Sequence, residues 1–203
     1  NTKDVPNSNL FNISVGGSMN DQTHFKNFQY NKGSGTDFLG FDNGLRSLNG
    51  GINATLRPMN NGYDLLNNGL NNDWSIKNRK PIADLSLSMN IAHRWVSESG
   101  RTLAMLGVVN YSNTYKTYLN MDNNLYGAYD ITHDRSNYLR KGVDDQYNHN
   151  VRVGAMLNLT YVPASGNNRY EFKNIFNQLG KDRYTYRKGT DAQSDYEESA
   201  EYY

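Results

Sequence analysis

The chain contains no cysteine, so neither a disulfide framework nor a thiolate metal site is open to it. No run approaches the roughly 20 consecutive apolar residues of a membrane-crossing helix, and helical spans are excluded. There is no excess of one charge either. Against 21 Lys and Arg stand 20 Asp and Glu, the net charge is +1, and no basic run offsets that balance, so no nucleic-acid partner is expected.

Catalytic signatures are also missing. Gly33-Ser-Gly35 is followed by neither Lys-Ser/Thr nor a helix signal, and no G-x-S-x-G elbow or motif-placed carboxylate pair occurs. The expectation is that the chain is not an enzyme. His24, His93, His133 and His149 are scattered without ligand spacing, which speaks against zinc. Asp122-Asn-Asn124 and Asp144-Asp145 lack the spacing and distal Glu of a calcium loop and read as solvated loop acids. No cofactor or metal is expected.

What is present is tyrosine and alternation. The 16 Tyr exceed the 7 Phe and 2 Trp, and Tyr suits a boundary between apolar and wet surroundings. Mean hydropathy is -0.83. A β-barrel strand shows only every second side chain to lipid, so a low average is compatible with a barrel wall. A secreted, Asn- and Tyr-rich β domain would carry the same bias.

The clearest alternation covers residues 143–162. Tyr147, His149, Val151, Val153, Ala155, Leu157, Leu159 and Tyr161 share one face, and polar or small residues share the other. Val151 to Leu159 is eight steps, about 26 Å of strand at ~3.3 Å each. A tilt of ~40° makes that ~20 Å of height, which the flanking tyrosines extend toward the ~25 Å apolar band of a membrane barrel. Residues 81–96 repeat the design, with Ala83, Leu85, Leu87, Met89, Ile91 and Trp95 against Asp84, Ser86, Ser88, Asn90 and Arg94. His93 is the odd member of the apolar set. Near the start, Phe11, Ile13, Val15, Gly17 and Met19 oppose a polar parity that continues as Gln22 and His24.

Two stretches are weaker. Between 101 and 119 Leu106 and Val108 intrude on the polar parity, and between 169 and 186 Asn174 and Gln178 break the apolar one. A β-bulge would reset the latter.

The links alternate short and long. Ser97-Glu-Ser-Gly100 and Pro163-Ala-Ser-Gly-Asn-Asn168 are turns, whereas residues 31–80, 120–142 and 187–203 are expected as long loops. The long first link is rich in Asn-Gly pairs, and residues 63–70 could form a short helix. Outer-membrane barrels have short periplasmic turns and long extracellular loops. Soluble strands usually span 3 to 10 residues, and several stretches here run longer. The expected class is therefore all-β: an antiparallel, up-and-down transmembrane β-barrel wall segment of about five long strands. Both chain ends read as cut points.

Four segments carry a resemblance. Asn1-Thr-Lys-Asp-Val-Pro6 leads directly into the first strand. Further on stand Thr36-Asp-Phe-Leu-Gly-Phe-Asp-Asn-Gly-Leu-Arg46, Gly107-Val-Val-Asn-Tyr-Ser112 and Glu171-Phe-Lys-Asn-Ile-Phe-Asn177. Together they resemble TonB-dependent outer-membrane receptors of the Bacteroidetes group, over nearly the whole chain but as one slice of such a receptor. The proline that often follows the Arg in that family is absent from Ser47-Leu-Asn-Gly50.

The resemblance implies a 22-stranded barrel with an N-terminal plug, located in the bacterial outer membrane and importing a siderophore, cofactor, glycan or peptide. Residues 1–7 would be the plug-to-barrel junction and 8–203 part of the barrel. A closed membrane barrel needs about 8 strands, so five would not close by themselves. Implied partners are outer-membrane lipid, the plug and remaining barrel, and the TonB complex, whose contact site would lie outside this chain. Whether a surface lipoprotein joins them is left open. The alternative is a soluble or surface-exposed β-rich binding module, glycan-binding or adhesin-like.

Candidate positions follow from parity and loop membership. Asn90, Arg94, Asn148, Asn150, Arg152 and Asn158 would face the lumen or plug. Phe38, Phe41, Arg46 and Trp74 would belong to the extracellular loop, and Trp95, Tyr111, Tyr147 and Tyr161 to an interfacial aromatic girdle.

Overall fold

The computed structural model describes residues 6–46, 75–191 and 195–202, the last stretch as backbone only. The elements are β1 (Leu10–Ser18), β2 (Phe28–Asn31), a 3-10 turn (Asp37–Leu39), β3 (Ile76–Arg79), β4 (Asp84–Val96), β5 (Thr102–Asp130), β6 (Arg135–Val162), β7 (Tyr170–Asp191) and β8 (Asp195–Tyr202). The protein is all-β, with one open antiparallel sheet in the order β1-β4-β5-β6-β7-β8 and a separate β2-β3 ribbon. The five expected strands are β1, β4, β5, β6 and β7, and β8 adds a sixth at the edge.

The two short links form tight turns. Ser97 N–H bonds the Arg101 carbonyl at 2.9 Å, and Gly166 N–H bonds the Pro163 carbonyl at 3.0 Å. Gly100 (φ 80°) and Gly166 (φ 69°) occupy the left-handed conformation that glycine adopts without strain.

Register converts alternation into two faces. Ile13 lies opposite Met89, Met89 opposite Val109, Val109 opposite Ala155 and Ala155 opposite Phe176. The neighbouring rows are Val15–Leu87–Tyr111–Val153–Gln178 and Phe11–Ile91–Gly107–Leu157–Asn174. Nearest the short turns comes Trp95–Leu103–Tyr161–Tyr170. These rows form a continuous apolar band, and it is bare: Ile13 is 59% exposed, Leu87 39% and Leu157 38%. The opposite face carries Asn, Ser, Thr, Lys and Arg, interspersed with Leu106, Val108, Met156, Ile175 and Leu179.

Beyond the band the same face is covered. The excursion between β1 and β4 folds back and seats Phe28 (1% exposed) against Tyr147 and Tyr184, with Tyr30, Ile76, Tyr115 and Tyr186 around it. Phe28 meets Tyr115 and Tyr147 edge-on at 5.4 and 5.5 Å. The Arg79 guanidinium lies 4.4 Å from the Tyr30 ring centre and 4.7 Å from that of Tyr115. Val151, at the band's edge, is 2% exposed.

Several expectations are corrected. Residues 120–142 are mostly strand, because β5 and β6 stay paired out to Asp130 and Arg135. Register shifts between Tyr118 and Met121, Leu125 and Tyr126, and Tyr126 and Tyr129 scramble the side-chain parity there, which conceals the strand in the sequence. Residues 187–203 likewise contain the end of β7 and all of β8. The first strand stops at Ser18 instead of continuing to His24. No bulge resets β7: its register with β6 runs unbroken from Tyr170 to Asp191, so Asn174 and Gln178 lie on the apolar face. Asp144 is not solvated; it is 6% exposed and held by Arg187 at 2.6 Å and Asn123 at 2.8 Å. The junction through residue 5, the proposed helix at 63–70 and Trp74 lie outside the described residues.

Candidate functional site

Recesses lie back to back on the two faces of the sheet. On the covered face, the chain from Ser34 to Arg46 is tied into a compact loop. Asp37 accepts from Ser34 N–H at 2.9 Å and Ser34 Oγ at 2.7 Å, and Arg46 donates to both Asp37 oxygens at 2.8 and 2.7 Å. A third Arg46 bond reaches Asp42 at 2.9 Å. Burial pushes the Asp37 carboxyl upward, but hydrogen bonds from Arg46 and Ser34 and the Arg46 charge outweigh it, leaving the group below the ordinary carboxylate range.

The loop docks on the edge of the apolar band by three contacts. Tyr111 Oη donates to the Phe38 carbonyl at 2.8 Å, Gln178 Nε2 donates to the Gly40 carbonyl at 2.7 Å, and Phe41 stacks on Phe176 at 6.0 Å. Between loop and sheet is a cleft of about 300 Å³ lined by Asp37, Phe41, Arg46, His149, Gln178 and Asp182 among others. His149 Nε2 bonds Asn113 Oδ1 at 2.9 Å and its ring stacks on Tyr115 at 4.5 Å. Burial, with the Arg79 charge nearby, pushes the imidazole down to about 4, so it is neutral at pH 7.

A buried polar turn anchors the start of the excursion. His24 is 3% exposed; its Nδ1 accepts from Asn20 N–H at 2.8 Å, which leaves Nε2 to donate to Asp84 at 3.1 Å. Asp84 also accepts from Tyr115 N–H at 2.8 Å, and Thr117 N–H bonds Thr23 Oγ1 at 2.9 Å.

On the polar face the register places all six expected residues. Asn148, Asn150 and Arg152 share one recess of about 430 Å³ with Ser112, Thr114 and Lys116. Arg152 and Ser112 also line a second recess, of about 480 Å³, with Ser14, Ser86, Ser88 and Asn110. The two make a polar trough from β1 to β7. Asn90, Asn158 and Arg94 lie along the same face nearer the short turns, opposite Val108, Leu106 and Ala104 respectively. They are not brought together with the first three.

The aromatic positions divide. Trp95 and Tyr161 stand in the row beside the short turns, where Tyr161 stacks on Tyr170 at 6.3 Å. Tyr111 stands at the opposite edge of the band. Tyr147, expected in the girdle, is instead 8% exposed beneath Phe28, and His149, expected on the same apolar face, is buried beside it. The cause is the excursion, which covers these positions. Sequence reasoning missed Lys116, Lys181 and Arg183 on the trough and Gln178 under the loop. The parity break at Gln178 was the available signal for the last.

Compared with protein-family models, curated proteins and solved structures, the chain matches none.

Proposed function

We propose that this chain forms part of the wall of a TonB-dependent outer-membrane transporter that imports a scarce nutrient: a siderophore, cofactor, glycan or peptide. The observation that carries the reading is the bare apolar band on an open sheet of long strands. An aromatic row bounds it beside the short turns, and a polar trough backs it. A soluble domain rarely leaves so broad a contiguous apolar surface uncovered. The membrane-spanning segments would be residues 10–18, 85–95, 103–111, 153–161 and 170–178. The trough would face the plug and the transport path, and the unpaired edges of β1 and β8 would continue into the remaining barrel. Uptake would be powered through the TonB complex.

The absence of native cysteine provides a direct test. Single cysteines at Ile13, Leu87 and Leu157 should react with a bilayer-soluble maleimide and resist a membrane-impermeant one, in outer membranes of cells producing the protein. Cysteines at Ser14, Ser88 and Asn150 should show less bilayer labelling and more aqueous labelling. Equal aqueous labelling of both sets would refute the proposal.

A second reading, a soluble or surface-exposed β-rich binding module of glycan-binding or adhesin-like kind, is favoured by one observation: the excursion packs as a covering layer around Phe28. It expects a monodisperse monomer in plain buffer with cooperative melting, whereas the wall reading expects a detergent requirement.

A further inference from the structure

We propose that the polar trough binds a small oligoanion, a ligand bearing two or more phosphate or carboxylate groups, through Lys116, Arg152, Lys181 and Arg183 arranged around Asn148. The inference is independent of what the opposite face meets.

Register fixes the arrangement. Three successive rows on this face read Ser112–Arg152–Leu179, Thr114–Asn150–Lys181 and Lys116–Asn148–Arg183. Strands about 4.8 Å apart and same-face residues about 6.7 Å apart put the four cations around a patch roughly 10 by 13 Å. Its floor is Thr114, Asn150 and Asn148, all hydrogen-bonding residues. Among the described residues, no carboxylate lies within ion-pair distance of Lys116, Arg152, Lys181 or Arg183, and all four are exposed. The nearest acid along β6 on this face, Asp144, is already engaged by Arg187.

Exposed cations alone would be only a solvated face. Asn148 distinguishes this one. It is 8% exposed, and its Oδ1 already accepts from Gln146 Nε2 at 2.9 Å and Arg183 Nε at 3.1 Å, which fixes the orientation of the amide. Its Nδ2 is therefore a donor, and it is buried without an acceptor. A buried unsatisfied donor is uncommon and costly. An oxyanion in the patch supplies the acceptor once Lys116 and Arg183, long and solvent-reaching, swing onto the ligand. Spacing sets the size: one phosphate reaches two of the cations, whereas a chain of anionic groups reaches three or four.

The test is titration calorimetry on the protein in non-ionic detergent, with tripolyphosphate, citrate and orthophosphate as probes. The expected result is saturable one-to-one binding of tripolyphosphate, citrate or both, at least tenfold tighter than orthophosphate; the stronger of the two identifies the ligand chemistry. Lys116→Gln with Lys181→Gln should weaken it at least tenfold, and Lys26→Gln, a cation of the excursion, should leave it unchanged. Asn148→Asp should weaken binding with all four cations still in place. Should Asn148→Asp misfold, Arg152→Gln, an exposed position, carries the same expectation. Lack of saturation with both oligoanions, orthophosphate binding as tightly, or equal losses in Lys26→Gln would overturn the proposal.

Discussion

Leu157 stands midway along the bare part of β6, four residues from Tyr161 at one rim and four from Val153 at the other. Four residues are about 13 Å of strand, and a tilt of ~40° makes that roughly 10 Å of depth on each side. In a bilayer Leu157 would therefore lie near the midplane and Tyr161 near the headgroups. An arginine costs about 2–4 kcal/mol at the midplane of a β-barrel wall and about 0–1 kcal/mol near the interface. Asn174, opposite Leu157 on β7, offers the guanidinium a hydrogen-bond acceptor, so the low end of that range applies. Leu157→Arg should then destabilise the protein by about 1–2 kcal/mol more than Tyr161→Arg, roughly five- to thirtyfold in the folding equilibrium. In water both positions are partly exposed, and exposed substitutions stay within about 0.5 kcal/mol. Equilibrium urea unfolding from phospholipid vesicles, followed by tryptophan fluorescence, measures the difference. Leu125→Arg on the β5-β6 hairpin outside the band, where Leu125 is 52% exposed, is the reference. Equal costs at 157, 161 and 125 would refute the claim that the band faces hydrocarbon.

Three further outcomes follow from the excursion. Phe28→Ala removes the buried aromatic that meets Tyr115 and Tyr147 edge-on from β2, and should cost about 3–5 kcal/mol locally. Hydrogen exchange should then accelerate across residues 28–31 and 76–79 while β4 to β7 stay protected. Arg46→Ala should move the Asp37 carboxyl upward, because burial remains while the Arg46 hydrogen bonds and charge that oppose it are gone. With the native depressed value, the Asp37 contribution is present above the unfolded carboxylate pKa and lost as pH falls through the folded one; in the variant the upward move removes part of that contribution. An NMR titration of the Asp37 carboxyl reads the change. Gly180→Ala would place a methyl 2.9 Å from Gly40 Cα, against backbone that cannot turn aside as a side chain would, and should lift the loop at a cost of about 1–3 kcal/mol. Faster exchange of the Gly40 amide reports it, and Gly35→Ala, with no atom within 4 Å, is the silent control.

The strands and their faces were legible where an unbroken register coincides with period two in the sequence. Residues 81–96 and 143–162 show it cleanly, and the structure pairs them in the expected sense on either side of β5. Legibility failed where the ladder is irregular. Asn120 takes a positive φ of 56° at the first register shift of β5, and beyond it apolar residues such as Leu125 and Tyr126 no longer mark one face. A reader of the sequence sees Asn- and Asp-rich chain and infers a loop. The trough was half legible. Parity marked Asn148, Asn150 and Arg152, but Lys116 lies past the intrusions of Leu106 and Val108, and Lys181 and Arg183 lie past the apparent break at Gln178.

The boundary between bare and covered surface was hidden for a different reason. Lipid and a packed covering layer both select apolar side chains at every second position, so alternation cannot separate them. The chemistry of successive rows can. Toward the short turns the β5 and β6 rows are aliphatic, with Met105, Val109, Leu157 and Leu159, as far as the aromatic row of Trp95 and Tyr161. Away from them the same parity becomes Tyr115, Tyr147, His149, Asp182 and Tyr184, bodies that pack with tips that hydrogen-bond. The change falls at the row holding Tyr111 and Gln178, and these two side chains donate to the loop carbonyls of Phe38 and Gly40. Backbone carbonyls of an irregular loop cannot lie against hydrocarbon without partners. On the proposed wall reading, that row is where hydrocarbon would give way to the covering layer, and it would set the upper limit of the bilayer.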